Sequence, residues 1–184
     1  MQLRNSGLAY GIVPIFVHWL TVALVSAGWL LGTFGDDLPR GTARAAGLFV
    51  HMSFGLTVLA LLALRLGWRI VDPPPPFEET RFGSWLQVGA KATHFLLYAL
   101  VLATPIIGIV LQFARGEAVP LYGIAEVASP WARDRALGGL LQQIHEVLAD
   151  GLMIVAGLHA AAALVHHWML RDSTLVRMLP WAAR

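Results

Sequence analysis

The chain has 184 residues, of which 57% are hydrophobic and only 13% charged, and its mean hydropathy is +0.66. A soluble domain of this length usually carries about 25% charged residues, so the composition indicates a membrane protein, with one domain over residues 1–184. The absence of cysteine excludes iron–sulfur clusters, thiolate-ligated or CxxCH-attached cofactors, and disulfides. The net charge of +2 comes from scattered basic residues, so nucleic-acid binding is not indicated.

Four apolar stretches are long enough to span a bilayer, at about 13–34, 45–70, 88–113 and 140–170. The first is interpreted as a retained helix, because no A-x-A cleavage site follows it. The breaks after the first and second stretches contain GDDLPRGTAR and VDPPPPFEET, and prolines cannot continue a helix. The third connection, 115–135, is predicted to be a loop on the membrane surface, and Pro105 should kink the third helix. The pattern predicts an all-α fold, an antiparallel bundle of four transmembrane helices.

The distribution of basic residues predicts the orientation of this bundle. The N-terminus, the second connection and the C-terminus together hold eight of them: Arg4, Arg65, Arg69, Arg81, Lys91, Arg171, Arg177 and Arg184. The first and third connections hold five: Arg40, Arg44, Arg115, Arg133 and Arg135. Because cytoplasmic segments carry an excess of Lys and Arg, both termini are predicted to lie in the cytoplasm.

Two histidines on the last helix point to a redox cofactor. His145 and His159 are 14 residues apart, which at ~100° and ~1.5 Å per residue places them on one helix face and ~21 Å apart. Two imidazoles on one face, near opposite sides of a bilayer core ~30 Å thick, suit two stacked b-type haems.

The other helices offer partner imidazoles at matching depths. By alternating topology, His51 lies toward the outside, at the depth of His145, whereas His18 and His94 lie toward the cytoplasm, at the depth of His159. His145 can therefore pair with His51, and His159 with either His18 or His94. The alternatives are buried structural histidines or a protein metal site. The first must account for ionisable groups inside a bilayer, and the second lacks nearby cysteines or paired carboxylates.

Other polar residues allow two interpretations each. His166 shares the face of His159 about 10 Å nearer the cytoplasm, so it is a candidate for binding a haem propionate or a quinone carbonyl, or is an interfacial histidine at a helix end. Glu146 and Asp150 are candidates for proton relay or simply acids in the first turns of a helix. The outer-loop arginines either bind propionates and attract an anion or are solvated charges; they are Arg40, Arg44, Arg133 and Arg135.

Several segments carry a resemblance to a known family. They are FVHWLTVALV around His18, FVHMSFGLTVLALLALRLGWR around His51, ATHFLLYALVLATPIIGIVL around His94, and the final block IHEVLADGLMIVAGLHAAAALVHHWMLRDSTLVRMLP. From about Val17 to Pro180 the chain resembles the bacterial cytochrome b561 family, four-helix dihaem proteins of the inner membrane. The resemblance implies two haem b groups with the axial ligand pairs His18–His159 and His51–His145.

The resemblance also implies an activity. It is particularly close to stand-alone members that oxidise superoxide on the periplasmic side and pass the electrons through the two haems to ubiquinone. Apart from the resemblance, His94, His166 and Arg171 are candidates for quinone or propionate contacts because of their positions in the chain, and no catalytic acid, base or nucleophile is assigned. The alternative is the membrane subunit of a hydrogenase- or dehydrogenase-like complex, in which a partner protein supplies the electrons. The sequence leaves open whether the chain forms a homo-oligomer.

Overall fold

The computed structural model describes residues 2–7, 9–76 and 84–179 of the chain. Arg81 and Arg184, which enter the charge count, and Pro180 lie outside the described residues. Within them the structure contains four long helices: α1 (Ile12–Phe34), α2 (Thr42–Val71), α3 (Ser84–Ala114) and α4 (Arg135–Val165). All four are long and apolar enough to cross a membrane. This confirms the predicted all-α membrane bundle of four helices.

The start of α4 differs from the prediction because of a helix cap. The apolar pattern placed its beginning near residue 140, whereas the helix begins at Arg135. The carboxylate Oδ1 of Asp134 accepts hydrogen bonds from the backbone nitrogens of Ala136 (2.9 Å) and Leu137 (3.0 Å). An N-cap aspartate satisfies amide groups that the first helical turn leaves without a partner. The cap therefore starts the helix about one turn before the predicted apolar stretch.

The helices pack as two pairs. α1 lies mainly against α2, α3 lies mainly against α4, and the two pairs meet chiefly through α2 and α3. Large apolar side chains point away from the bundle on its outer surface, including Phe95 (75% exposed) and Val147 (71% exposed). Such a surface is unfavourable in water but is compatible with lipid chains, so the fold presents its apolar residues to the bilayer.

The third connection contains two short strands, β1 (Val119–Leu121) and β2 (Ala125–Val127), which pair antiparallel. The turn residues Tyr122 and Gly123 both have positive φ, 55° and 73°, the backbone geometry of a tight hairpin. The hydroxyl groups of Tyr122 and Thr57 share a hydrogen bond of 3.0 Å, which ties the hairpin to α2. The sequence predicted only a surface loop here. We call this end of the bundle the hairpin end.

The opposite end brings both ends of the described chain together, and we call it the terminal end. The carboxylate Oδ2 of Asp72, just after α2, accepts hydrogen bonds from the backbone nitrogen of Asn5 (2.9 Å) and from Trp68 Nε1 (3.0 Å). Trp19 Nε1 donates a hydrogen bond to the carbonyl oxygen of Met178 (2.7 Å). The N-terminal and C-terminal segments therefore share one side of the bundle; that this side is cytoplasmic stays a prediction.

Candidate functional site

The two histidines nearest the hairpin end face each other across the bundle. His51 on α2 and His145 on α4 have ring centroids 6.0 Å apart, with their ring planes inclined by 73°. A metal–imidazole bond is about 2 Å long, so two rings on opposite sides of one iron have centroids roughly 6 Å apart. The separation of these rings is therefore the one that a six-coordinate haem iron requires.

Hydrogen bonds to carbonyl oxygens on neighbouring helices fix the orientation of both rings. Nδ1 of His51 donates to the carbonyl oxygen of Gly28 on α1, and Nδ1 of His145 donates to that of Thr104 on α3, each over 2.9 Å. An imidazole that carries its proton on Nδ1 has a free lone pair on Nε2. This arrangement of a backbone carbonyl behind the ring is the usual support of a metal-binding histidine.

Glycines four residues beyond these carbonyls make room for the rings. A Cβ atom on Gly32 would lie 3.2 Å from Cε1 of His51, and a Cβ atom on Gly108 would lie 3.0 Å from Cε1 of His145. Both histidines are held in the same way: the neighbouring helix offers a carbonyl oxygen to Nδ1 and, four residues later, a glycine that leaves space for the ring. These four residues were not predicted as part of a site, although the small-xxx-small spacing of GWLLG (28–32) is a sign of close packing in membrane helices.

Three histidines lie together toward the terminal end. The rings of His94 and His159 have centroids 5.2 Å apart, inclined by 63°. His18 is within electrostatic reach of both, and its ring contacts that of Trp19 edge-on at 5.3 Å. The structure thus brings together all three residues that the sequence placed at this depth, and it leaves two candidate partners for His159.

The donor set of these sites suits haem better than a bare metal ion. In the described part of the chain, no group of three or more His, Cys, Asp or Glu side chains could hold a metal ion. Each site instead offers imidazole nitrogens, and the hairpin-end pair has the spacing of two axial ligands. Axial histidines are sufficient for a b-type haem, because the porphyrin supplies the remaining four nitrogens.

Polar side chains precede and follow His145 along α4. Gln142 Nε2 donates to Glu146 Oε1 (2.9 Å), and Arg115 NH2 donates to Gln142 Oε1 (2.9 Å), which forms a chain from α3 to α4. Asp150 accepts a hydrogen bond from Trp29 Nε1 on α1 (2.9 Å). Both acids considered for proton relay therefore have a hydrogen-bond partner within the bundle.

A basic pocket of about 210 Å³ lies at the hairpin end, between the end of α3 and the start of α4. Its lining residues are Arg115, Arg133, Asp134, Arg135, Gly138, Gly139 and Gln142. Two of the four outer-loop arginines singled out from the sequence, Arg133 and Arg135, belong to this pocket. Arg44 instead forms an ion pair with Asp36 at 3.7 Å, and neither it nor Arg40 lines the pocket.

His166 begins a π-helical turn, His166–Leu170, that ends α4 before Arg171, whose backbone is left-handed (φ 55°). Nδ1 of His166 donates to Oδ2 of Asp172 over 2.5 Å, and the backbone nitrogen of Thr174 donates to Oδ1 over 2.9 Å. Partial burial raises the pKa of Asp172, but these hydrogen bonds outweigh it and bring the pKa below its usual value. Asp172 is therefore an anion that holds His166 in place.

The chain resembles known proteins over nearly its whole length. The sequence model of the prokaryotic cytochrome b561 family matches residues 9–181. A probable superoxide oxidase of Yersinia pestis is 34% identical over 172 residues, covering 93% of this chain and 96% of the relative. Cytochrome b561 homolog 2 of Escherichia coli is 29% identical over 183 residues, covering 97% and 95%. This chain therefore belongs to the prokaryotic cytochrome b561 family and is a multi-pass electron-transfer protein of the inner membrane that uses b-type haem.

Proposed function

We propose that this protein oxidises superoxide to O2 at the hairpin end and transfers the electrons across the membrane to ubiquinone at the terminal end. The observation that carries the proposal is a histidine pair with the spacing of axial haem ligands close to a basic pocket. The similarity to a relative named a probable superoxide oxidase supports the choice of electron donor.

Four histidines would hold two haems. His51 and His145 would ligate one, and His159 with His18 would ligate the other. The choice of His18 rests on the family resemblance, and it is supported by the 5.2 Å between the rings of His94 and His159, which is less than the roughly 6 Å needed across an iron. His94 would then flank the second haem. When bound, the two haems supply one-electron redox centres near the two sides of the bilayer.

The hairpin end is suited to a small anion. Arg115, Arg133 and Arg135 line the same pocket, and Arg115 is within electrostatic reach of His145. A cluster of like charges beside a binding region raises the local concentration of the opposite ion and its rate of encounter. Superoxide loses one electron and no proton when it becomes O2, so this half of the reaction needs no acid, base or nucleophile.

The terminal end would serve the quinone. Ubiquinone takes up two electrons, from two superoxide ions, and two protons to become ubiquinol. His166 and Arg171 are the proposed contacts, with His94 on the haem side. Nδ1 of His166 stays bonded to Asp172, so a second proton on the ring would sit on Nε2, where it can be donated to a quinone carbonyl and passed on from the aqueous side.

Optical spectroscopy of the purified chain tests the proposal directly. We expect two haem b groups per chain that are reduced within the mixing time by enzymatically generated superoxide and reoxidised by ubiquinone. Superoxide dismutase should abolish the reduction. Two haems that are inert to superoxide but reducible by quinol or by a copurifying iron–sulfur protein would contradict it and favour the alternative, an electron-carrying subunit of a larger complex.

The contribution of the basic pocket can be separated from general surface charge. Arg133→Gln should slow haem reduction by superoxide severalfold, whereas Arg40→Gln, which removes the same charge outside the pocket, should have little effect. The wild-type rate should also fall as ionic strength rises, because salt screens exposed charges beyond about 10 Å at 0.1 M. Equal effects of the two variants, or a rate independent of salt, would remove the pocket from the mechanism.

A further inference from the structure

An arginine on α2 lies at the depth of the terminal-end histidines. His51 and Arg65 are 14 residues apart, the same spacing as His145 and His159 on α4. At 100° and 1.5 Å per residue, Arg65 lies ~21 Å beyond His51 along α2 and within about 40° of the same face. Since α2 and α4 run in the same direction, Arg65 stands at the level of His159.

The two histidine sites differ in the charges that act on them. Arg65 is within electrostatic reach of His18, His94 and His159, and Arg69 is within reach of His94. The charged residues that act on these three histidines are arginines. At the hairpin end, in contrast, the acidic side chain of Glu146 and the basic side chain of Arg115 both act on His145. Among the described residues, the charged side chains that act on the terminal-end histidines are thus all cations, whereas an acid offsets the nearest arginine at His145.

An aromatic ring holds these arginines without neutralising them. The guanidinium carbon of Arg65 lies 5.4 Å from the centroid of the Tyr98 ring, and that of Arg69 lies 6.0 Å from it. Arg69 NH1 also donates to the Tyr98 hydroxyl at 3.4 Å. A cation over an aromatic face is stabilised and keeps its full charge. The ion pairs found among the described residues are Arg44–Asp36 and His166–Asp172, neither of which involves Arg65 or Arg69.

We infer that Arg65, which lies over the Tyr98 ring, raises the reduction potential of the terminal-end haem above that of the hairpin-end haem, and that Arg69 adds to this effect. The difference in potential would set the direction of electron transfer. A haem becomes more negative by one charge when it is reduced, so a nearby cation stabilises the reduced form. The effect is large in a membrane because the low dielectric constant weakens screening. The inference rests on the proposed pair of haems, but it does not depend on superoxide as the electron donor.

Redox titration of the purified holoprotein, followed by absorbance and by low-temperature paramagnetic resonance, tests the inference. Arg65→Gln should shift the equilibrium between the two haems roughly tenfold toward the hairpin end, which is 59 mV for a one-electron couple. Arg65→Lys keeps the charge and should retain most of the wild-type difference. Arg115→Gln, which removes a charge at the hairpin end, should leave the terminal-end potential unchanged.

An unchanged terminal-end potential in Arg65→Gln, with both haems bound, would overturn the inference. If Arg65→Gln does not retain the terminal-end haem, Arg69→Gln decides: a smaller shift in the same direction supports the inference, and an unchanged potential overturns it. A wild-type protein without haem would overturn both this inference and the proposed function. A wild-type protein with two haems that is inert to superoxide would overturn only the latter, because the potentials can still be measured.

Discussion

A methyl group on Gly108 should disturb the proposed hairpin-end haem site without altering either proposed ligand. In Gly108→Ala the new Cβ atom would lie 3.0 Å from Cε1 and 3.4 Å from Nδ1 of His145. Ordinary carbon contacts are about 3.5–4.0 Å, so the ring must move by about half an ångström. The movement strains the 2.9 Å hydrogen bond from Nδ1 to the carbonyl oxygen of Thr104 and would shift Nε2, the proposed haem ligand.

The expected magnitude follows from the loss of that support. Changes in the groups that orient a metal-binding histidine typically weaken metal binding by 10–100-fold, which is about 1.4–2.7 kcal/mol. Alanine itself favours a helix over glycine by about 1 kcal/mol, so unfolding of the polypeptide is not the expected cause. The assay is haem b per chain by the pyridine haemochrome method, with low-temperature spectra that resolve the two haems. The terminal-end haem should be retained.

The matched control is Gly89→Ala on the same helix, where no atom lies within 4 Å of the added Cβ atom. It brings the same gain in helix propensity and should retain both haems. Wild-type haem content and spectra in Gly108→Ala would refute the reasoning, because they would show that the ring of His145 does not need its present position. Equal haem loss in both glycine variants would refute it as well, because the effect would then be general.

Three other outcomes are expected. His94→Ala should retain two haems, and loss of the terminal-end haem would identify His94, rather than His18, as the partner of His159. Asp134→Ala should lower the free energy of unfolding by about 1 kcal/mol through loss of the α4 cap, whereas Asp134→Asn should lose little; equal losses would exclude capping. Because the folded-state pKa of Asp172 lies below its usual value of about 3.9, its stabilisation is complete above that pH and is lost as the pH falls through the lower folded value. The midpoint of thermal unfolding of Asp172→Asn should therefore lie below that of the wild type at pH 7, with a difference that shrinks under acid conditions; a constant difference would contradict this.

The membrane bundle and the depths of its histidines follow from composition and helical geometry. Long apolar stretches separated by proline and charge can bury their backbone in a bilayer only as helices, so four spans follow from composition and length. The regular rise and rotation of a helix then place His145 and His159 on one face and at separate depths. Alternation of direction places His51 at the level of the first, and its ring indeed lies 6.0 Å from that of His145.

The surroundings of those histidines, in contrast, depend on how the helices pack. Three kinds of contact depend on how the helices are rotated and how closely they approach. They are the hydrogen bonds to the carbonyl oxygens of Gly28 and Thr104, the space that Gly32 and Gly108 leave for the rings, and the contact of Arg65 with the Tyr98 ring. Such contacts join residues far apart in the chain, and helical periodicity fixes positions only within one helix. The position of a residue along its span is thus a local property of the sequence, whereas its orientation, support and electrostatic environment belong to the packed bundle.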